Sequence, residues 1–284
     1  EQEGFDVAKR LLSFLPSNSR ELPPQYEETD PVDRKTPEIR DIIPLDAQKS
    51  FDIKDMIRSF VDNGDFMEVQ ENFATNIVVG FARMGGETVG IVGNQPKVLA
   101  GCIDVNASWK AARFVRFCDC YNIPLITLAD TPGYLPGVIQ EHNGIIRNGA
   151  KLLFAYSEAT VPKITVVVRK DYGGAYSAMC GKGMGADFVY ALPTGELAIM
   201  GAEGAANIVF KHEIAAAEDQ NAKRKELSEK YKETFLNPYK GAEYGIVDDV
   251  IDPEDLRSRI IRDMRIIRNK KGNTPYKKHS NIPL

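Results

Sequence analysis

Residues 163–179 read KITVVVRKDYGGAYSAM: a β-branched run, a turn through Gly173 and Gly174, and small residues that open a helix. Val, Ile and Thr suit extended backbone, and an unbroken apolar run of this kind fits a strand buried on both faces. The same alternation continues in both directions. Upstream lie the helical segment WKAARFVRFCDCYN, opened by Ser108, the strand PLITLAD and the helical segment IIRNGAKLLFAYSEA. Downstream come the short strands DFVYAL and ELAIM and a helix from Gly201. Helix and strand alternate at about 25 to 35 residues, the spacing of βα units that build a mainly parallel sheet. The fold class is therefore α/β.

The N-terminal part has a different character. Residues 4–15, GFDVAKRLLSFL, form an amphipathic helix already under way where the sequence opens on Glu1, which suggests a piece of a longer chain. Residues 16–44 are rich in Pro, Asp, Glu and Arg and lack periodicity, as expected of a linker or an arm wrapped on a neighbour. We divide the chain into a helix end with linker, 1–45, and a globular body, 46–284. Ser50 is placed to cap the helix FDIKDMIRSFVD, whose Ile53, Met56, Ile57 and Phe60 share one face. Two extended runs, NIVVGFARM and ETVGIVGN, flank Gly85-Gly86 as a hairpin, and LAGCID is a short strand candidate. Residues 214–235 read as an exposed charged helix. Pro253 starts a last one, whose Ile260, Ile261 and Met264 face either a partner subunit or their own domain.

Composition limits the chemistry. With 284 residues, 43% of them hydrophobic, the chain can bury a core, and a net charge of -4 gives no general field for nucleic acid or an anionic membrane. The late basic cluster of Arg268, Lys270, Lys271, Lys277 and Lys278 is read as a solvated tail. Cys102, Cys118, Cys120 and Cys180 form no CxxC pair and no metal spacing with histidine, so we expect no disulfide, no metal and a reducing compartment. No apolar run reaches the length of a membrane span. These features fit a soluble chain of the cytoplasm, or of the mitochondrial matrix in a eukaryote.

Familiar catalytic motifs are missing. A GxGxxA match at Gly181 to Ala186 falls inside a helical segment and not at a strand-to-helix turn, and there is no GxxxxGK[ST] or GxSxG. Of the three histidines, His142 in the loop QEHNG could face a site or simply the solvent. No acid-base pair of carboxylates stands out. What remains is backbone chemistry: the N–H groups of Gly174 and Ala175 would open a helix, where they are free and the dipole favours negative charge. That turn is either an oxyanion hole or a tightly packed connector. A second loop, residues 130–137, DTPGYLPG, follows the C-terminal end of PLITLAD and holds Tyr134 and Leu135 on a stiff turn, as a pocket wall or as a rigid connection.

Taken together, VGIVGNQP, ARFVRFCDCYNIPLITLADTPGYLPG, GIIRNGAKLLFAYSEATVPKITVVVRKDYGGAY, ELAIMGAEGAANIVF and YKKHSNIPL resemble the carboxyltransferase (beta) subunit of biotin-dependent acyl-CoA carboxylases. The resemblance covers nearly the whole chain in collinear blocks and is to the C-terminal half of such a subunit. It implies a crotonase-like (ClpP/crotonase) spiral of ββα units, a single domain with an N-terminal linker arm, and a sheet more mixed than the alternation suggests. It further implies that the active site forms where the N-terminal half of one subunit meets the C-terminal half of another in a homo-hexamer.

The resemblance assigns roles residue by residue. The N–H groups at Gly174 and Ala175 would bind the ureido oxygen of biotin, with Gly173, Tyr134, Leu135 and Ser177 on the biotin side. Asn94, Gln95 and Pro96 would lie along acyl-CoA. Biotin itself would take the α-proton, so no protein base and no metal is needed. Ser177 departs from the family, where propionyl-CoA carboxylases have Asp and acetyl-preferring forms an apolar residue. GAEGAANIVF and the insert EIAAAEDQNAKRKELSEK lean toward methylmalonyl-CoA enzymes. The implied function is carboxyl transfer between carboxybiotin and a short acyl-CoA, propionyl-CoA/methylmalonyl-CoA by preference. Biotin carboxyl carrier protein, a biotin carboxylase subunit and the N-terminal carboxyltransferase half would be its partners. Rival readings are the alpha subunit of a methylmalonyl-CoA-type decarboxylase or a transcarboxylase, a biotin-independent crotonase-fold hydratase or isomerase using Asp171 or Glu203 as base, and a non-catalytic assembly module.

Overall fold

The structure, a computed structural model, describes residues 1–46, 48–272 and 278–283, so Lys277 of the basic cluster lies outside the described residues. Its strands are β1 (Phe66–Val69), β2 (Ile77–Met84), β3 (Glu87–Asn94), β4 (Leu125–Thr131), β5 (Lys163–Tyr172), β6 (Phe188–Ala191), β7 (Glu196–Ala198) and β8 (Asp249–Val250). They form one sheet in the order β1-β2-β3-β4-β5-β6-β8, with β7 on the end of β5. The sheet is mainly parallel, as expected, and mixed through its first three strands. β1, β2 and β3 pair antiparallel, as Gly85-Gly86 supplies a tight reversal, and every later pairing is parallel.

The N-terminal helices are α1 (Gln2–Leu12), α2 (Ile39–Ile42), α3 (Ile53–Phe60) and α4 (Val105–Cys120). After them come α5 (Val138–His142), α6 (Ile145–Glu158) and α7 (Gly174–Ala178), then α8 (Ala202–Val209), α9 (Lys211–Ala216), α10 (Gln220–Phe235), α11 (Pro238–Glu243) and α12 (Leu256–Ile267). Period-two alternation along β5 splits the core between two layers. Ile164, Val166 and Val168 join Ile57, Phe60 and Ile260 on one face, while Val167 joins Phe114, Leu152 and Ala175 on the other.

Several local expectations shift. Asp52, not Ser50, caps α3 by accepting from the N–H of Lys54, and Asp104, not Ser108, caps α4 through Ala107. Ser108 lies inside α4, where its hydroxyl donates back to the Asp104 carbonyl, 2.8 Å away. LAGCID is a 3-10 turn at Leu99–Gly101 followed by a single bridge between Ile103 and Tyr134. The 214–235 segment breaks into α9 and α10 at Ala217, with Asp219 capping α10. The glycines 181, 183 and 185 lie around a 3-10 turn, Lys182–Met184, after α7 has ended. Ile260, Ile261 and Met264 are buried against their own domain.

Residues 16–44 are laid on the body of the same chain. Arg257 of α12, with no exposed surface, anchors that arm: its guanidinium donates to the carbonyls of Asp30 (2.9 Å), Pro31 (3.0 Å) and Phe60 (2.9 Å). It also pairs with Asp62 at 2.6 Å, and Asp62 in turn accepts from the N–H groups of Gly85 and Gly86. Removing one member of such a buried pair strands the other charge. Arg257→Met is therefore expected to cost about 3–5 kcal/mol of stability, read as a fall in the urea midpoint. An unchanged midpoint would refute this account of the arm.

Candidate active site

β4 and β5 are parallel neighbours, so their C-terminal ends deliver two loops side by side. Beneath them lies a buried ion pair. Arg169 of β5 donates from Nε (2.9 Å) and Nη2 (2.8 Å) to one oxygen of Asp130 on β4, and the Lys170 N–H donates to the other. The Asp130 N–H donates to the side-chain oxygen of Asn94 at the end of β3. Three strand ends are thus joined at one level.

From β5 the chain enters Gly173 with φ 59° and ψ -130°, a conformation open essentially to glycine. Its N–H donates to the Ala198 carbonyl at 2.8 Å. Gly174 differs. Its φ is ordinary, and a Cβ built there would meet nothing closer than the Tyr134 ring, at 3.8 Å. The fold of this chain therefore has room for a side chain at Gly174. Both glycines are exposed, and neither the Gly174 nor the Ala175 N–H donates to any described residue. The start of α7 holds two free donors, one on the exposed Gly174 and one on the buried Ala175.

The β4 loop is pinned over this turn. The Ile103 N–H donates to Gly133 and the Leu135 N–H returns to Ile103, while the Tyr134 hydroxyl donates to the Gly149 carbonyl at 3.1 Å. A Cβ at Gly149 would lie 2.7 Å from the Tyr134 ring, so this mid-helix glycine of α6 exists to admit the aromatic face. Burial pushes the Tyr134 phenol up to about 12, which keeps it neutral. Leu135 and Ser177 are half-buried nearby, and the Ser177 hydroxyl has no hydrogen bond among the described residues.

The other predicted positions lie differently. Asn94, Gln95 and Pro96 are buried. The Gln95 side chain donates to Asp52 at 2.8 Å and the Asn94 oxygen accepts from the Asp130 N–H, while the Asn94 Nδ2 is buried without a partner among the described residues. They carry the exposed residues Lys97, Leu99 and Ala100 that follow. His142 and Glu203 are exposed, whereas Asp171 is buried. Sequence reasoning missed the Asp130–Arg169 pair and the burial of Asp171. The glycine at 149, inside an otherwise good helix, was a visible signal for the Tyr134 contact. Among the described residues all four cysteines are unpaired, no cluster of three or more potential ligands could hold a metal, and no helix is long and apolar enough to cross a membrane.

Comparison with known proteins gives a consistent answer. The carboxyl transferase domain family matches residues 1–282. The chain is 54% identical to the carboxyltransferase subunit of propionyl-CoA carboxylase from Haloferax mediterranei, over all of this chain and 55% of that protein. It is 55% identical to the methylmalonyl-CoA carboxyltransferase 12S subunit of Propionibacterium freudenreichii, over 98% of this chain and 53% of the relative. A crystal structure of transcarboxylase 12S, a hexamer with methylmalonyl-coenzyme A bound, superposes with a TM-score of 0.93 at 55% identity, covering 98% of this chain and 53% of that one. The chain thus spans about half the length of the relatives it matches, and its α/β architecture is crotonase-like. By sequence along its whole length and by fold, it belongs to the carboxyl transferase domain family.

Proposed function

We propose that this chain forms the biotin side of a carboxyltransferase active site. It would serve transfer of a carboxyl group between carboxybiotin on a carrier protein and a short acyl-CoA of the propionyl-CoA/methylmalonyl-CoA class. The observation that carries this reading is Gly174. The fold leaves room for a Cβ there, yet the residue is an exposed glycine whose N–H, like that of Ala175 after it, is free. A glycine that the chain itself does not require is explained by a ligand atom approaching the backbone closely.

The donor set fits the ureido oxygen of biotin, which is planar, becomes negative as the carboxyl group departs and needs N–H donors alone. Bound carboxybiotin would supply the carboxyl group and, after its departure, the base for the acyl-CoA α-proton. Gly174 and Ala175 would hold the developing negative charge, and donors fixed before the reaction need no reorganisation. Gly173 sets the turn that aims them. Tyr134 and Leu135 would wall the ring, with Ser177 one turn along α7 as the group nearest the choice of acyl chain. Asn94, Gln95 and Pro96 would act on the acyl-CoA side by holding the exposed 97–100 turn.

The exposed apolar residues around the site, including Ile146 (87% exposed) and Ile199 (84%), suit an edge covered by the N-terminal carboxyltransferase half. Residues 1–45 would then be the helix end and linker between the halves, and the assembled protein a homo-hexamer served by a biotin carboxyl carrier protein and a biotin carboxylase subunit. Its place would be the cytoplasm or the mitochondrial matrix. A second reading, the alpha subunit of a methylmalonyl-CoA decarboxylase, is favoured by 50% identity to that subunit of Propionigenium modestum over 99% of this chain and 54% of the relative. It uses the same site in the reverse direction. A biotin-independent hydratase has less support, because its candidate bases are a buried Asp171 and an exposed Glu203.

Gly174→Ala separates a ligand site from a structural turn. Stability should hold or rise by about 0.4–1 kcal/mol, while carboxyl transfer by the protein joined to its N-terminal half falls roughly a hundredfold as the approach is blocked. Full activity in that variant would refute the reading. Ala175→Pro removes one donor and should lower the rate about a hundred- to a thousandfold with oligomer size by light scattering unchanged. Biotin-dependent decarboxylation of methylmalonyl-CoA and malonyl-CoA should appear only in the joined form, and turnover without biotin would favour the hydratase.

A further inference from the structure

Asp171 lies three residues before Gly174, in the last turn of pleat of β5, with Thr131 of β4 and Leu197 of β7 as its register partners. It is 1% exposed, and neither carboxylate oxygen has a hydrogen-bond partner among the described residues. Its neighbour Asp130 is also buried but is fully engaged by Arg169 and the Lys170 N–H. The two carboxylates have therefore been given opposite environments: one guanidinium is present, and Asp130 holds it. Buried polar groups without partners are rare in native proteins and tend to mark functional sites.

We propose that Asp171 is a positioning residue that serves the oxyanion turn only as an uncharged carboxylic acid, and that its ionisation disables the turn. The proposal rests on the oxyanion reading of Gly174 and Ala175. Three Cα steps of 3.80 Å put the carboxyl-bearing residue within about 11 Å of Gly174, inside the protein, where screening by salt is weak. Neutral, it leaves the free N–H groups of Gly174 and Ala175 available to a ligand oxyanion. Ionised, it sets a second, buried negative charge within about 11 Å of that oxyanion.

The surrounding groups favour the neutral form. Asp130 on β4 is negative, and Glu196 on β7 is already shared by the Tyr172 hydroxyl and Lys232. Tyr176 on α7 is a neutral phenol whose ionisation Asp171 further opposes, while Arg169 and the backbone of Lys170 on its own strand serve Asp130. Burial first, and then the Asp130 charge, push the Asp171 carboxyl up to about 8.

The sign of the stability effect follows. Unfolded, Asp171 ionises near 3.8, so the native state holds an extra proton between about pH 4 and pH 8. Asp171 thus costs nothing at acid pH, costs progressively more as pH rises through that window, and is constant in cost above it. The melting temperature gained by Asp171→Asn should be near zero at pH 4 and largest above pH 8.

The deciding experiment is the pH profile of carboxyl transfer by the intact protein, for the parent, Asp171→Asn and Ala175→Pro. The parent should lose roughly tenfold in kcat/KM per pH unit above about 8, and Asp171→Asn should lack that limb. Retention of the limb in Asp171→Asn overturns the proposal, even while a collapse in Ala175→Pro upholds the oxyanion reading. Activity surviving in Ala175→Pro overturns that reading itself. Should Asp171→Asn fail to fold, infrared spectra of the parent with labelled aspartate decide the matter. A protonated carboxyl band that disappears near pH 8 supports the proposal, and its absence at pH 7 overturns it.

Discussion

The site depends on one buried ion pair, Asp130 with Arg169. Asp130 and Arg169 are 1% and 3% exposed, so each charge is tolerable only because the other is held at hydrogen-bond distance. Arg169 also donates to the Lys49 carbonyl and lies 4.8 Å over the Phe51 ring, and Asp130 is tied through its N–H to Asn94. The segment before α3, the end of β3, the end of β4 and the end of β5 therefore share one fixed level. The register of β4 on β5 shifts between Ala129 and Thr131, directly at this pair. Such an irregularity re-aims the strand end, and the loop that carries Tyr134 leaves from it.

The opposite end of the molecule uses the same device for a different purpose. Arg257 and Asp62 join the arm, the hairpin turn and α12, where nothing suggests chemistry, and all their donors and acceptors are used internally. At the proposed site the accounting is left open. Gly174 and Ala175 keep unused N–H groups, Asp171 keeps an unpaired carboxyl, and the surrounding apolar side chains face outward.

Much of this was legible from residue order. The β-branched run into Gly173-Gly174 led to a buried strand, a turn and a helix start, and Gly85-Gly86 led to the hairpin. The cap assignments failed for a specific reason. Ser50 and Ser108 are good capping residues, but Asp52 and Asp104 stand where the chain leaves extended backbone, and their carboxylates reach the free N–H groups first. The mainly parallel sheet was legible from the alternation of helix and strand, and the addition of β1 to the hairpin edge, which makes the sheet mixed, was not. The family resemblance put Asn94 and Gln95 on the acyl-CoA side, and residue order did not show that both side chains are buried.

Local sequence by itself determined the elements whose causes are local: the strands, the glycine turns, the amphipathic faces of α3 and α12, and a backbone donor pair at the start of α7. It also carried a family resemblance along nearly the whole chain. Tertiary structure alone decided which charges are paired and which stand alone. Asp130 and Asp171 are the same residue type on adjacent strands, and nothing in their neighbours along the chain distinguishes a paired carboxyl from a stranded one. The difference arises because Arg169 sits within reach of one and not the other, and electrostatic energy in a buried site depends on separations of a few ångströms that sequence distance does not encode.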